Sequence, residues 1–523
     1  MIRGLARAAL GAAAFLAAAA PVRAAEDMLV LKDGRVFSGV KMAREGDFVV
    51  LKYLNGDVRV PHSMIEVLLV EGAPLPDPVT DEEKAQRAKG LVLHRGKWVP
   101  IAEREKALRK ETDARRKAVE EHRKHSAWKD KYKFETRNFK FDSTQPPWQN
   151  EDYAEALEAY FKEFAKVWKI RVPQSWGKLQ VCFYGSRKEY HQISGAGGNT
   201  LAYYRFVEPR ELNFYYDRSD PQMSVACLFH EANHYLTDLM DESFQYPHWV
   251  NEAMAEYYGS VEWDPVKKTM KVGALQQGRL AELQSDITLN KPMGLREIVT
   301  SEDDRSYWPY YWGWSLVHFL METPKYREKF MKFFADIARA QDVERRRHRH
   351  WPRLTELKDG AECLRVFLSR MNLQEKDLPA LEKEWMDYLA KITATVSLRG
   401  NEEAGLRALR DGRRLRAMRL LKAAIDGGSK RAQVHLAYAT GLTHQALESG
   451  GNGQDEALKV AENAIALDPL DAGCWAQRAL LTYLSGNAPE GERLLALARE
   501  IDPEADFLDL ELWVKLQVAL KGE

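Results

Sequence analysis

The chain has 523 residues, with 77 lysines plus arginines against 77 aspartates plus glutamates, a formal net charge of zero. That balance excludes a global attraction to nucleic acid or to an anionic membrane, and the length asks for about three to four domains. Four cysteines, Cys182, Cys227, Cys363 and Cys474, are too scattered for a metal-binding pair and too few for a disulfide scaffold.

Residues 1–25 begin basic (Arg3, Arg7), run apolar from Ala8 to Ala20 and end in small residues around Ala24-Ala25. This is the pattern of a secretory signal peptide, so the mature chain is expected to be exported, periplasmic or extracellular. The apolar run is shorter than the roughly 20 residues of a membrane anchor, and no later stretch would span a bilayer. Residues 26–73 hold short β-rich runs (28–32, 35–41, 48–53, 58–60, 65–70) separated by Asp33-Gly34, Glu45-Gly46-Asp47 and Asn55-Gly56. Five short strands with tight turns predict a small SH3-like β-barrel, a targeting or contact module. Residues 74–130 read as a proline-rich linker (Pro74, Pro76, Pro78) and a charged helix from Ile101 to Lys131. Its signs alternate at Glu103, Arg104, Glu105 and Lys106, as on a solvated connecting helix rather than a basic binding surface.

From about 131 to 395 the pattern is that of an α+β domain. Phe134–Phe141 alternates like a strand, and Leu157, Tyr160, Phe161, Phe164 and Trp168 recur at helical spacing. Leu179–Tyr184 reads as another strand, and Thr200–Phe206 with Glu211–Tyr216 as a hairpin. The Gly195–Gly198 turn is not a phosphate loop, since no lysine-serine or lysine-threonine pair follows it.

The next stretch organises the chain: Phe229-His230-Glu231-Ala232-Asn233-His234, then Trp249-Val250-Asn251-Glu252-Ala253-Met254-Ala255-Glu256. On a helix, His230 and His234 share a face and can offer two imidazoles to one metal ion. Glu231, one residue round, can reach the water that the metal activates. A catalytic zinc takes three protein ligands and keeps one open position. A loop at 241–247 lets a second helix return with Glu252 as third ligand, and Glu256, four residues on, as the carboxylate that holds a ligand histidine by its other ring nitrogen. Cys227, on the first helix, reads as a packing residue.

Through His230, Glu231, His234, Asn251, Glu252 and Glu256, and more loosely through the segment from about Lys131 to Ile392, the sequence resembles the gluzincin zinc metallopeptidases. In particular it is similar to the peptidase-MA-like proteins of exported bacterial chains. The resemblance implies a thermolysin-like α+β catalytic domain with the Thr200–Phe206 hairpin as the edge strand on which an extended peptide pairs. It also implies bound Zn2+ and Glu231 as general base. A hairpin (Val261–Val272), a polar helix and an aromatic helix (Tyr307–Met321) follow. In resembling proteins a tyrosine four residues before a tryptophan donates a hydrogen bond to the oxyanion; Tyr310 with Trp314 matches, with Tyr311 as the other candidate. No Gly-x-Met-Glu-Asn stretch, which holds a free N-terminus in related aminopeptidases, is present, and this favours an endopeptidase.

The basic cluster Arg345–Arg353 has two readings, a site for an anionic cell-envelope polymer and a solvated loop, of which the loop is preferred. From 396 to 523 the chain reads as TPR-like helical repeats: Leu467-Asp468-Pro469 and Ile501-Asp502-Pro503 recur in step, with Trp475, Ala479 and Ala498 at repeat positions. Ala457, Ala464 and Pro469 fit a second copy with an insertion at Ser449–Asp455, and Ala417–Ala424 a degenerate third. Such a surface usually takes a protein partner. The fold class is thus multidomain α+β with barrel, peptidase-like domain and repeats, the flanking modules carrying no catalytic constellation. Two functions follow. One is a zinc peptidase acting on a peptide or protein. The other is an exported binding or scaffold protein with a structural or relic zinc site.

Overall fold

The computed structural model describes residues 27–503 and 505, apart from 33–34, 70–77, 79, 95–96, 198–199, 218–220, 265–266, 290–291 and 450–452. The expected signal peptide, the Asp33-Gly34 turn, Pro74 and Pro76 lie outside the described residues. The architecture is multidomain α+β: small N-terminal β-sheets, a central mixed sheet with helices, and a C-terminal region of paired helices.

At the N-terminus six strands form two three-stranded antiparallel sheets, one from Met28–Leu31, Val36–Ser38 and Ile65–Leu69, the other from Lys41–Glu45, Phe48–Tyr53 and Gly56–Pro61. The single strand expected over 35–41 is broken at Gly39, whose φ of +79° takes the chain out of one sheet and into the other. Leu29, Leu31, Val49, Leu51, Val58 and Val60 do not close a core by themselves. They share it with Leu470, Trp475, Leu494, Leu497 and Ile501 of the last helix pair. The charged helix runs Ile101–Arg123, short of the expected end, and Trp128 in the turn beyond it stacks on Tyr184 with ring centroids 4.3 Å apart.

The central sheet has five strands in the order Ala202–Arg205, Glu211–Tyr215, Leu179–Tyr184, Phe139–Ser143, Tyr132–Glu135. The middle three are parallel and both edges antiparallel. The one strand expected over 134–141 is two, because Asn138 turns the chain by giving its backbone N–H and Nδ2 to Glu158 at 2.7 and 2.6 Å. The helix Pro147–Trp168 buries Leu157, Tyr160 and Phe164 in the main core. Tyr160 meets Phe229 there, with ring centroids 4.8 Å apart.

The expected aromatic helix is broken as well. A tight turn at Trp308–Tyr310 precedes a helix that starts only at Trp312, with Tyr311 (φ −128°, ψ −48°) between them. Gly313 lets that helix lie against the next one described below, since a Cβ there would stand 3.3 Å from Trp249 O and from the Ala253 Cβ. The helix Gln277–Thr288, expected to be polar, buries Arg279, Glu282 and Asp286. Its charges turn inward because other parts of the chain compensate them.

Among the described residues the C-terminal region has three helix pairs: Leu398–Arg410 with Arg414–Asp426, Ala432–Glu448 with Gln454–Leu467, and Ala472–Leu484 with Ala488–Ile501. Ala457, Ala464, Ala479 and Ala498, read as repeat positions, are buried where paired helices approach closely. The expected boundary near 396 carries buried ion pairs. Arg407 Nη1 is 3.4 Å from Glu282 Oε2, Arg413 Nη2 is 2.9 Å from Glu282 Oε1, and Arg416 pairs with Asp286. All four cysteines are free. Among the described residues no helix is long and apolar enough to cross a membrane.

Candidate metal centre

The histidine helix Pro221–Asp238 packs against the glutamate helix His248–Gly259 and against the last two strands of the sheet. Its i, i+4 spacing puts His230 and His234 on one face, with their Nε2 atoms 3.3 Å apart. Glu252 Oε2 lies 3.1 Å from His230 Nε2 and 3.7 Å from His234 Nε2. Ligand atoms about 2.0–2.1 Å from a tetrahedral zinc are separated by roughly 3.3 Å. Three corners of such a shell therefore stand at the right spacing, and two imidazoles with one carboxylate are donors that suit zinc. The group could hold a metal ion.

Behind the ligands, Glu256 Oε1 lies 3.3 Å from His230 Nδ1, the ring nitrogen turned away from the other ligands. Arg279 grips Glu256 in a fork, Nη2 to Oε1 at 2.6 Å and Nε to Oε2 at 2.9 Å, and Gln276 Nε2 donates to Oε2 at 2.9 Å. Arg279 Nη1 also reaches Glu282 Oε2 at 3.1 Å, and Glu282 is the residue met by Arg407 and Arg413. A chain of alternating charges thus runs from His230 through Glu256, Arg279 and Glu282 to the first helix pair of the repeats.

The electrostatics follow from this packing. Burial by itself would push His230 down, but Glu252 and Glu256 hold it up at about 10. Burial would push Glu252 up, but His234, His230 and His248 bring it to about 2. Glu256 is held low against its burial by Arg279 and His230. A proton held on His230 supplies positive charge that a metal ion would supply, so a metal must displace it.

Glu231 accepts a hydrogen bond from the backbone N–H of Tyr204 at 2.9 Å. Tyr204 is on Ala202–Arg205, the edge of the sheet and one arm of the expected hairpin. Because the two backbone groups of a residue in an antiparallel strand point the same way, the Tyr204 carbonyl also faces the open edge. Tyr310, at the broken helix start, stacks on His230 with ring centroids 5.7 Å apart and planes 17° off parallel. Burial, then the neighbouring Glu252, push its phenol up. The Tyr311 hydroxyl is engaged elsewhere, donating to Asp286 Oδ2 at 2.9 Å. The geometry thus separates two tyrosines that sequence reading left together.

Two neighbours of the site were missed in the sequence. His248 Nδ1 lies 3.8 Å from Glu252 Oε1, and its Nε2 is 3.1 Å from the Ser306 carbonyl oxygen. The i, i+4 step from His248 to Glu252 was a signal that could have found it. Arg279 had none, being a lone arginine on a helix that reads as polar. Compared with known families, residues 224–344 match a family model described as a protein of unknown function (DUF1570). That stretch holds His230, Glu231, His234, Glu252, Glu256, Arg279 and Tyr310. No curated protein matches the chain.

Proposed function

We propose that this chain is an exported zinc-dependent endopeptidase of the gluzincin type. The observation that carries the reading is the spacing of His230, His234 and Glu252 with Glu231 beside them against an open sheet edge. A zinc ion held by the three ligands would polarise the scissile carbonyl and make a water acidic enough to attack near neutral pH. Glu231 takes the proton from that water and returns it to the leaving amine. An extended polypeptide pairing with Ala202–Arg205 would run past Glu231, since the Tyr204 N–H already meets its carboxylate. Tyr310 donates to the carbonyl oxygen as negative charge develops there. Glu256 orients His230 so that Nε2 is the nitrogen offered. A catalytic zinc keeps three protein ligands and one open position, and the group among the described residues has three.

Elemental analysis should find one zinc per chain, lost in His234→Ala. Glu231→Gln should keep zinc and fold while peptide cleavage falls by roughly 10²–10⁴-fold. Tyr310→Phe should lower it by about 10²–10³-fold. A zinc-loaded wild type that cleaves nothing in a broad peptide and protein panel would sink the hydrolase reading, as would a fully active Glu231→Gln.

A further inference from the structure

The basic stretch at 345–353 starts as a strand and continues into the exposed loop of a hairpin, in which Arg345–Arg347 pairs antiparallel with Thr355–Leu357. Between Arg345 and Leu357 five arginines stand against one glutamate, Glu356. Arg345 is taken up by the end of the helix Pro324–Arg339, donating to the Ile337 and Ala340 carbonyls at 3.1 and 2.9 Å. Arg346 holds Glu356 at 2.9 Å and Glu302 at 3.4 Å. Arg347, Arg349 and Arg353 are exposed, and among the described residues none of the three has an ion-pair partner. Trp351, between them, is 45% exposed.

The hairpin is fixed to both sides of the candidate cleft. Trp351 sets its ring edge-on against Phe206 at 5.2 Å, and Phe206 directly follows the edge strand. The Gln245 N–H donates to the Thr355 carbonyl at 2.7 Å, and the Thr355 N–H to the Ser243 carbonyl at 2.8 Å. Ser243 and Gln245 lie in the loop that joins the histidine and glutamate helices. Phe206 is two residues beyond Tyr204, about 7 Å along an extended strand. A polypeptide paired with the edge therefore comes to the hairpin roughly two to five residues from the bond lying over Glu231.

We propose that this hairpin binds an acidic segment of the substrate polypeptide, on one side of the cleaved bond, a proposal that rests on the peptidase reading above. Three guanidinium groups without acidic partners, in a chain whose total charge is zero, form a local excess suited to forked contacts with carboxylates. Trp351 adds a face for the chain itself. Continuity with a strand edge that pairs through backbone amides favours a polypeptide over an anionic polysaccharide, which has no such backbone to pair.

The test uses the full zinc-loaded chain and three peptides of equal length. One carries three acidic residues two to five positions before a cleavable centre, one carries them after it, and one has the amide counterparts. Binding is read by fluorescence anisotropy with Glu231→Gln, cleavage with Glu231 intact. One acidic peptide should bind about 5–50-fold more tightly than the amide peptide at low salt, the gap closing near about 0.5 M salt. Arg347→Gln, Arg349→Gln and Arg353→Gln together should abolish that gap with zinc content and melting temperature unchanged. The proposal is overturned by equal binding of all three peptides, by a gap that survives the triple substitution, by equal benefit on both sides, or by polygalacturonate competing as well as the acidic peptide. If the acidic preference holds and depends on the arginines but no peptide is cleaved, the peptidase reading fails and the binding surface stands. If all three are cleaved and bound alike, the surface fails and the peptidase reading stands.

Discussion

The first and the last described helix pairs of the C-terminal region hold the rest of the chain by different means. The first helix pair meets the central domain through buried charge beside a small apolar cluster of Ala281, Ala404 and Leu420, with Arg407 and Arg413 on the fully buried Glu282 and Arg416 on Asp286. The last pair meets the N-terminal sheets through one apolar core, with Leu29, Leu51 and Val60 packed beside Trp475, Leu494 and Leu497. Only the rim of that second contact is polar, as in Arg35 on Asp468 at 2.7 Å. An apolar seam is stabilised in proportion to the area it hides and tolerates small slips. A buried chain of charges does not, since any slip strands an uncompensated ion. The charged end therefore fixes the seating of Gln277–Thr288, and with it Arg279 behind Glu256, while the apolar end supplies stability. The N-terminal sheets, expected to be a targeting or contact module, share their apolar core with the chain's own helix pair Ala472–Leu484 and Ala488–Ile501.

The sharpest way to break this comparison is Glu282→Ala, which takes the acidic partner from Arg407 and leaves Arg279 with Glu256 and Arg413 with Asp411 as their remaining acidic partners. Denaturant unfolding should show a loss on the order of 3–5 kcal/mol; a loss below about 1 kcal/mol would mean that the buried charges do not depend on one another. Next, Leu494→Ala at the apolar end should cost about 2–4 kcal/mol and leave zinc affinity unchanged. A fall in zinc affinity there would show that the two ends are coupled. Arg279→Lys keeps the charge but loses the fork on Glu256, so zinc affinity measured by competition with a chelator should fall by roughly tenfold or somewhat more. The smallest effect belongs to Arg35→Ala, whose partly exposed pair with Asp468 should be worth less than about 1 kcal/mol by thermal unfolding.

The candidate metal ligands were legible in the sequence because each depends on a short repeat distance. His230 with His234, and Glu252 with Glu256, are i, i+4 pairs, and helical geometry alone puts each pair on one face. The paired helices of the C-terminal region were legible for a similar reason, through small residues at a fixed period. The broken elements were harder. Phe134–Phe141 reads as one strand, yet its apolar phase shifts between Phe134 and Phe139, and the reversal there is held by the Asn138–Glu158 contact made from a distant helix. The helix start at Tyr307–Tyr311 reads as helical by its aromatic spacing, and its break, which carries Tyr310 to His230, is visible only in the fold.

By itself, then, the sequence determined which residues could meet one metal ion, the mixed α+β composition and the run of paired helices. All of these follow from local periodicity. Tertiary structure decided which tyrosine stands beside the ligands, that Arg279 backs Glu256, that the first repeat pair neutralises Glu282, and that Trp351 joins the basic hairpin to the edge strand. Those are pairings of charge and shape between residues tens to hundreds of positions apart. No local pattern encodes such a pairing, because the cost of burying a charge depends on which distant partner the fold brings to it.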